Sequence, residues 1–117
     1  MKSIDSIEIL EQSLKSSRMV VLYFANKNNP ACVRTGRVLE EIEEKYLGRV
    51  NFYSLDAVRV YDLMVRFQVP SIPSVVILVP DPYGSDTMLK KACITEQAIN
   101  KDNMIGLISE YGSWSLK

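Results

Sequence analysis

The chain has 117 residues, of which 47% are apolar and 24% charged, and its 14 basic residues balance 14 acidic ones. This length suits one domain with a modest core, and the composition is typical of a globular protein. Because the net charge is zero, no field draws the chain to nucleic acid or to an anionic membrane, and neither is expected as a partner.

Several classes of protein are excluded by what the sequence lacks. The N-terminal residues Met1 to Ser6 contain no apolar signal segment, and the longest apolar run, Met19 to Ala25, is far shorter than the about 20 residues that span a bilayer. We therefore expect a cytoplasmic protein. With no histidine and only two cysteines, Cys32 and Cys93, the sequence excludes His-based triads and a disulfide scaffold, and no metal or cofactor is expected.

The first predicted element is a helix near the N-terminus. Asp5 can cap it while Glu8, three residues on, bonds back, and Ile4 and Ile9 can form a hydrophobic staple. Residues at helical spacing then predict its buried face, namely Ile7, Leu10 and Leu14.

A strand, a helix and a second strand are predicted next. The continuous apolar run Met19 to Ala25 indicates a strand buried on both faces. A polar turn from Asn26 to Pro30 leads into a helix from about Ala31 to Tyr46, which Gly48 ends. The second strand covers Val50 to Leu55. The acidic residues of the helix are expected on a solvated flank, namely Glu40, Glu41, Glu43 and Glu44.

The second half of the chain predicts one helix, a pair of strands and a last helix. A helix from about Val58 to Phe67 buries Val60, Leu63, Met64 and Phe67. The runs Val75 to Val79 and Met88 to Ile94 predict strands, joined by a turn that contains Pro80, Pro82 and Gly84. The last helix is capped by Asn100 or Asp102. This order predicts an α/β domain, with a mixed sheet of four or five strands flanked by about four helices.

The sequence resembles the thioredoxin family over about residues 3 to 112. The central strand of that family is followed by Trp-Cys-Gly-Pro-Cys, and here the turn that ends in Cys32 stands after Ala25. From Cys32 onward the matching residues fall at thioredoxin-like spacing without a gap, namely Val38-Leu39-Glu40-Glu41-Ile42, Tyr46, Gly48, Val69 and Ile72-Pro73. The resemblance implies the thioredoxin fold in one domain, residues 1–117, with a cis peptide bond before Pro73.

The resemblance also implies that the attacking sulfur is missing. Counting back from the helix places Cys32 at the second, resolving cysteine and Asn29 at the attacking one. Counting forward from Ala25 places Asn28 at the attacking position and Ala31 at the resolving one. Neither count restores a nucleophile, because a carboxamide cannot attack a disulfide.

Two further parts of the family's redox site are replaced. Leu22 stands where the family has a buried acidic residue, and Lys27 or Asn28 stands where it has a tryptophan. We therefore predict a redox-inactive module that binds a protein or peptide segment in extended conformation by main-chain hydrogen bonds. The resemblance implies a groove between the turn and the proline, with the candidate binding residues Asn28, Asn29, Pro30, Ile72 and Pro73.

The alternative hypothesis is an enzyme, a monothiol thiol–disulfide oxidoreductase with Cys32 as the catalytic residue. A helix N-terminus activates a thiol, and Lys27 or Arg34 can add to this effect. The competing interpretation of Cys32 is a small buried hydrophobic residue, which is also the interpretation of Cys93. A third hypothesis is assembly through an exposed strand edge. Trp114 is predicted to lie in a frayed tail, and no disulfide between the two cysteines is expected.

Overall fold

The computed structural model describes residues 1–15, 17–83 and 88–112 and contains five strands and four α-helices within them. A short 3-10 turn, Glu96–Ala98, precedes the last helix. The predicted α/β class is confirmed. The elements in chain order are β1 (Lys2–Ile4), α1 (Ile7–Ser13), β2 (Met19–Ala25), α2 (Pro30–Lys45), β3 (Val50–Asp56), α3 (Tyr61–Arg66), β4 (Ser74–Pro80), β5 (Met88–Thr95) and α4 (Lys101–Gly112).

The five strands form one mixed sheet in the order β1-β3-β2-β4-β5. β1 and β2 both run parallel to β3, whereas β4 runs antiparallel to β2 and to β5. The helix between β2 and β3 allows their parallel pairing, and the short connection between β4 and β5 requires antiparallel pairing. The four predicted strands are all present, and the fifth is β1, which lies ahead of the first helix.

The side chains of the central strand β2 enter two different cores. Val21 and Tyr23 pack among residues of α2 and α4, whereas Leu22 and Phe24 pack among residues of α1 and α3. A strand covered by helices on both faces needs apolar side chains at successive positions rather than at alternate ones. This arrangement explains why residues 19–25 form an unbroken apolar run.

The N-terminus differs from the prediction in three respects. Ser6, not Asp5, caps α1, because its Oγ accepts the N–H of Ile9 at 3.3 Å. The predicted staple is wrong, since Ile4 is a buried residue of β1 and Ile9 is 41% exposed. Ile7 is 40% exposed as well, so the buried face of this short helix is centred on Leu10. Pairing with β3 keeps the chain extended through Ile4, so the helix begins only at Ile7.

α3 is shorter than predicted and begins at Tyr61 rather than at Val58. Asp56 holds the preceding residues in a turn, because its Oδ1 accepts the N–H of Val58 at 2.9 Å and its carbonyl accepts that of Val60 at 3.0 Å. An aspartate that bonds the main chain two residues on favours a turn over a helix. The predicted burial of Val60 and Leu63 is nevertheless confirmed.

The C-terminal helix α4 is capped by Asn100, one of the two predicted candidates. Its Oδ1 accepts the N–H of Asn103 at 2.9 Å. No helix among residues 1–15, 17–83 and 88–112 is long and apolar enough to cross a membrane. The expectations for Gly84 and Trp114 fall outside the described residues.

Candidate functional site

The turn between β2 and α2 is organised by asparagine side chains. Asn26 accepts the N–H of Asn28 at its Oδ1, at 2.9 Å, and the N–H of Asn29 at its carbonyl, at 3.0 Å. Asn29 is the N-cap of α2, because its own Oδ1 accepts the N–H of Ala31 at 2.9 Å. Pro30 is the first helical residue, a position where the missing N–H of proline costs nothing.

Cys32 lies in the first turn of α2 and is buried, with only 4% of its surface exposed. Its Sγ accepts the main-chain N–H of Asn26 at 3.4 Å, so the thiol packs beneath the turn. Its carbonyl oxygen accepts the hydroxyl of Tyr23 and lies 3.2 Å from Oγ1 of Thr35. These contacts place the residue in the interior of the domain, as expected of a small buried hydrophobic residue.

Tyr23 is the site residue that sequence reasoning missed. Its ring is 4% exposed, and its hydroxyl lies 2.5 Å from Oγ1 of Thr35, which in turn donates to the carbonyl of Ala31 at 3.0 Å. Burial, which disfavours the phenolate, raises the pKa of Tyr23 to about 12. A tyrosine within a buried strand that has no other polar side chain signals such a network, because a buried phenol hydroxyl needs a partner.

The Ile72-Pro73 segment reaches the same end of the sheet as the turn. β2 and β4 are antiparallel with Phe24 opposite Ser74, so the next step along the ladder brings Pro73 level with Ala25, the last residue of β2. The Ile72–Pro73 peptide bond is cis. Among the described residues, no hydrogen bond uses the main-chain N–H or C=O of Ile72, so both groups remain available to a ligand.

A cleft of about 550 Å³ also adjoins the first turn of α2. Tyr23 and Cys32 line it, together with residues of β1, β3 and α2, whereas Ile72 and Pro73 do not. The small exposed part of Cys32 therefore adjoins a different surface from the one expected to hold an extended peptide. Both surfaces flank the same helical turn.

The two cations expected to activate Cys32 are placed differently. Lys27 lines the same cleft as Cys32. Arg34 instead pairs with Glu96 at 3.4 Å on the exposed side of α2, with 70% of its own side chain accessible. Only one of the two predicted cations therefore shares a surface with the thiol.

The other sequence candidates lie away from the turn or carry no redox chemistry. Leu22, where the resemblance implies an acid, is fully buried in the core beneath α1 and α3. Cys93 is half-buried on β5 opposite Val76, and burial raises the pKa of its thiol. Both cysteines are free. Across the part of the chain that the structure covers, no three Cys, Asp or Glu side chains are arranged to hold a metal ion.

Comparison with known proteins identifies solved structures with the same architecture, and the three that follow are 15 to 18% identical to this chain. No family model and no curated protein sequence matches the chain. The germline-specific thioredoxin Deadhead of Drosophila melanogaster is similar with a TM-score of 0.78 and 15% identity, over 94% of this chain and 98% of the other. The thioredoxin of Malassezia sympodialis gives 0.79 and 17%, over 96% and 90%. That of Plasmodium falciparum gives 0.76 and 18%, over 95% and 99%.

Proposed function

We propose that this chain, which has the thioredoxin fold, is a module that binds an extended segment of protein or peptide without forming a bond to sulfur. The observation that carries the proposal is the role of Asn29. Its side chain caps α2 by accepting the N–H of Ala31, at the position that the count back from the helix assigns to the attacking cysteine. A carboxamide that already accepts a hydrogen bond offers no nucleophile for disulfide exchange.

The burial of Cys32 supports binding over monothiol exchange. A thiol that forms mixed disulfides must present its thiolate to a disulfide sulfur of the partner, and reactive cysteines are accordingly accessible. Cys32 is 4% exposed, and its sulfur accepts the N–H of Asn26. Attack from this position requires the turn to open first.

The main chain of Ile72 supplies the means of binding. Its N–H and C=O are not used within the described part of the fold, and the segment lies at the end of the sheet where the turn begins. An extended peptide laid along such a segment forms main-chain hydrogen bonds with it, while neighbouring side chains set its preference. Asn28 is exposed on the turn, and the proposal assigns it contacts with the side chains of that peptide.

Peptide selection under reducing conditions tests the proposal. Peptides are selected from a phage-displayed random library with the chain as bait in dithiothreitol, and the enriched peptides are then resynthesised. We expect Cys32→Ser to bind them with an unchanged Kd in calorimetry. NMR shifts on titration should concentrate at the amides of Asn28, Asn29 and Ile72. Loss of binding in Cys32→Ser, with its fold intact by circular dichroism, would contradict the proposal.

A matched pair of surface variants sharpens this test. Asn28→Arg adds a bulky charge to the exposed turn and should weaken binding by about tenfold or more if the peptide lies there. Val58→Arg adds the same side chain at a position that is 73% exposed but belongs to the turn before α3, and it should leave the Kd unchanged. Equal effects of the two variants would show that the peptide binds elsewhere.

A further inference from the structure

The cleft of about 550 Å³ has the size of a small-molecule site, since such sites measure roughly 300 to 1,000 Å³. One wall is the helix α2, and the other is formed by side chains of β1 and β3, among them Ser3 and Ser54. Tyr23 and Ala25 of β2 also line it. The cleft is separate from the Ile72-Pro73 segment, so an inference about it goes beyond the proposed peptide binding.

Charged side chains of both signs surround this cleft. The charged side chains are three cations and three carboxylates, and across the described ranges none of these cations lies within 4.0 Å of a carboxylate oxygen. Met1 also lines the cleft, but its N-terminal ammonium is paired with Glu43 at 3.1 Å. Opposite charges around one space that do not pair with each other leave both kinds of charge available to a ligand. These side chains are Lys27, Arg37 and Arg59, together with Asp5, Glu40 and Asp56.

A glycine keeps the helical wall of the cleft open. Gly36 lies within α2, and a Cβ built on it would meet only the ring of Tyr23, at 3.6 Å, and its hydroxyl, at 3.8 Å. These are ordinary contacts, so neither backbone conformation nor close packing requires glycine there. Glycine weakens a helix interior relative to other residues. Because Gly36 has no side chain, space beside the Tyr23 ring stays unfilled.

We propose that this cleft binds a small zwitterion of about dipeptide size, which carries one carboxylate and one ammonium group. The guanidinium groups of Arg37 and Arg59 bind the carboxylate, and the carboxylates of Asp5, Glu40 and Asp56 face the ammonium. A ligand with only one sign of charge meets as many repelling groups as attracting ones, because the unpaired charges of the lining balance. Selectivity for a molecule with both charges follows from this balance.

Three ligands that differ only in charge test the proposal. Glycylglycine, N-acetyl-glycylglycine and glycylglycine amide are each titrated into the isotope-labelled chain and followed by the amide shifts of Gly36, Ser54 and Asp56. We expect the zwitterion to shift these amides, with each blocked form binding at least about tenfold more weakly. Equal affinity of a blocked form overturns the proposal. So does the absence of shifts at about 10 mM glycylglycine, where a site of millimolar Kd is filled.

Variants separate the cleft from the peptide groove. Gly36→Met should fill the cleft and abolish the shifts, and Arg37→Gln should weaken the zwitterion about tenfold. The matched control is Gly106→Met in α4, where a Cβ meets nothing within 4 Å, and it should bind as the parent chain does. Shifts at Ile72 rather than at the cleft overturn this inference while leaving the proposed peptide binding intact.

Discussion

Replacing Tyr23 with phenylalanine removes one buried hydroxyl and keeps the ring that packs in the core. That hydroxyl donates to the carbonyl of Cys32 and lies 2.5 Å from Oγ1 of Thr35. It therefore connects the central strand to the first turn of α2. We expect the variant to fold and to be less stable.

The magnitude follows from the contacts that are lost and those that remain. A net intramolecular hydrogen bond contributes about 0.5–1.5 kcal/mol, and the hydroxyl takes part in two contacts. The hydroxyl of Thr35 lies 3.2 Å from the carbonyl of Cys32 and can donate to it in the variant, so this carbonyl is not left without a partner. The ring is retained and no cavity forms. The free energy of unfolding should therefore fall by about 1–2 kcal/mol.

Urea denaturation followed by circular dichroism measures this change, with Tyr61→Phe as the matched control. Tyr61 is 64% exposed, so the loss of its hydroxyl should change the free energy of unfolding by less than about 0.5 kcal/mol. A difference between Tyr23→Phe and the parent chain below about 0.5 kcal/mol would refute the reasoning. Equal effects of the two substitutions would refute it as well.

Comparison with Tyr23→Phe also shows how the Tyr23 hydroxyl makes the free energy of unfolding depend on pH. Well below pH 10 the Tyr23 hydroxyl is protonated in both the folded and the unfolded chain, so its contribution to the free energy of unfolding is complete. Because its pKa rises from 10.0 to about 12 on folding, the unfolded chain loses the proton first between these values. The free energy of unfolding then falls by up to about 1.4 kcal/mol per pH unit. The advantage of the parent chain over Tyr23→Phe should therefore shrink from pH 10 to 12.

Three further predictions concern the turn. Asn29→Ala should lower the free energy of unfolding by about 1 kcal/mol, whereas Asn29→Asp should preserve it, and equal losses in denaturation would contradict the capping role. Asn29→Cys places a sulfur three residues before Cys32 and should produce disulfide-reductase turnover with dithiothreitol that the parent chain lacks. An inactive Asn29→Cys variant would show that the turn is not a dithiol site that has lost its attacking cysteine. Iodoacetamide labelling followed by mass spectrometry should be at least about tenfold slower at Cys32 in the folded than in the unfolded chain, and equal rates would favour monothiol exchange.

The central strands could be predicted from the sequence because burial on both faces requires a continuous run of apolar residues. The runs 19–25 and 75–79 are continuous apolar segments buried on both faces, and both fall on observed strands. The runs 50–55 and 88–94 also fall on strands, but they include polar residues such as Asn51 and Lys90 and are only partly buried. β1 has no such apolar run, because only Ile4 of its three residues is buried. Its strand conformation depends on pairing with Tyr53 to Leu55, a contact far away in the sequence.

The site was only partly accessible from the sequence. The turn could be located, but two alignments placed the missing cysteine at either Asn28 or Asn29. The hydrogen bond from the N–H of Ala31 identifies Asn29 as the residue at the helix start. Tyr23 could not be assigned a role, because its partner is a main-chain carbonyl that only the fold brings near. The charges around the cleft come from segments that chain order does not associate, such as Asp5 and Arg37.

The parallel pairing of β1 with β3 also bears on synthesis of the protein. Lys2 lies opposite Tyr53, about 50 residues later in the chain. At a translation rate of about 5–20 residues per second, the partner strand follows roughly 2.5–10 s after the first one. During that interval Ile4, which is fully buried in the finished domain, stays outside any sheet on the ribosome. Ile4 is thus buried only after β3 has been made, and chaperone contacts before that point should concentrate on it.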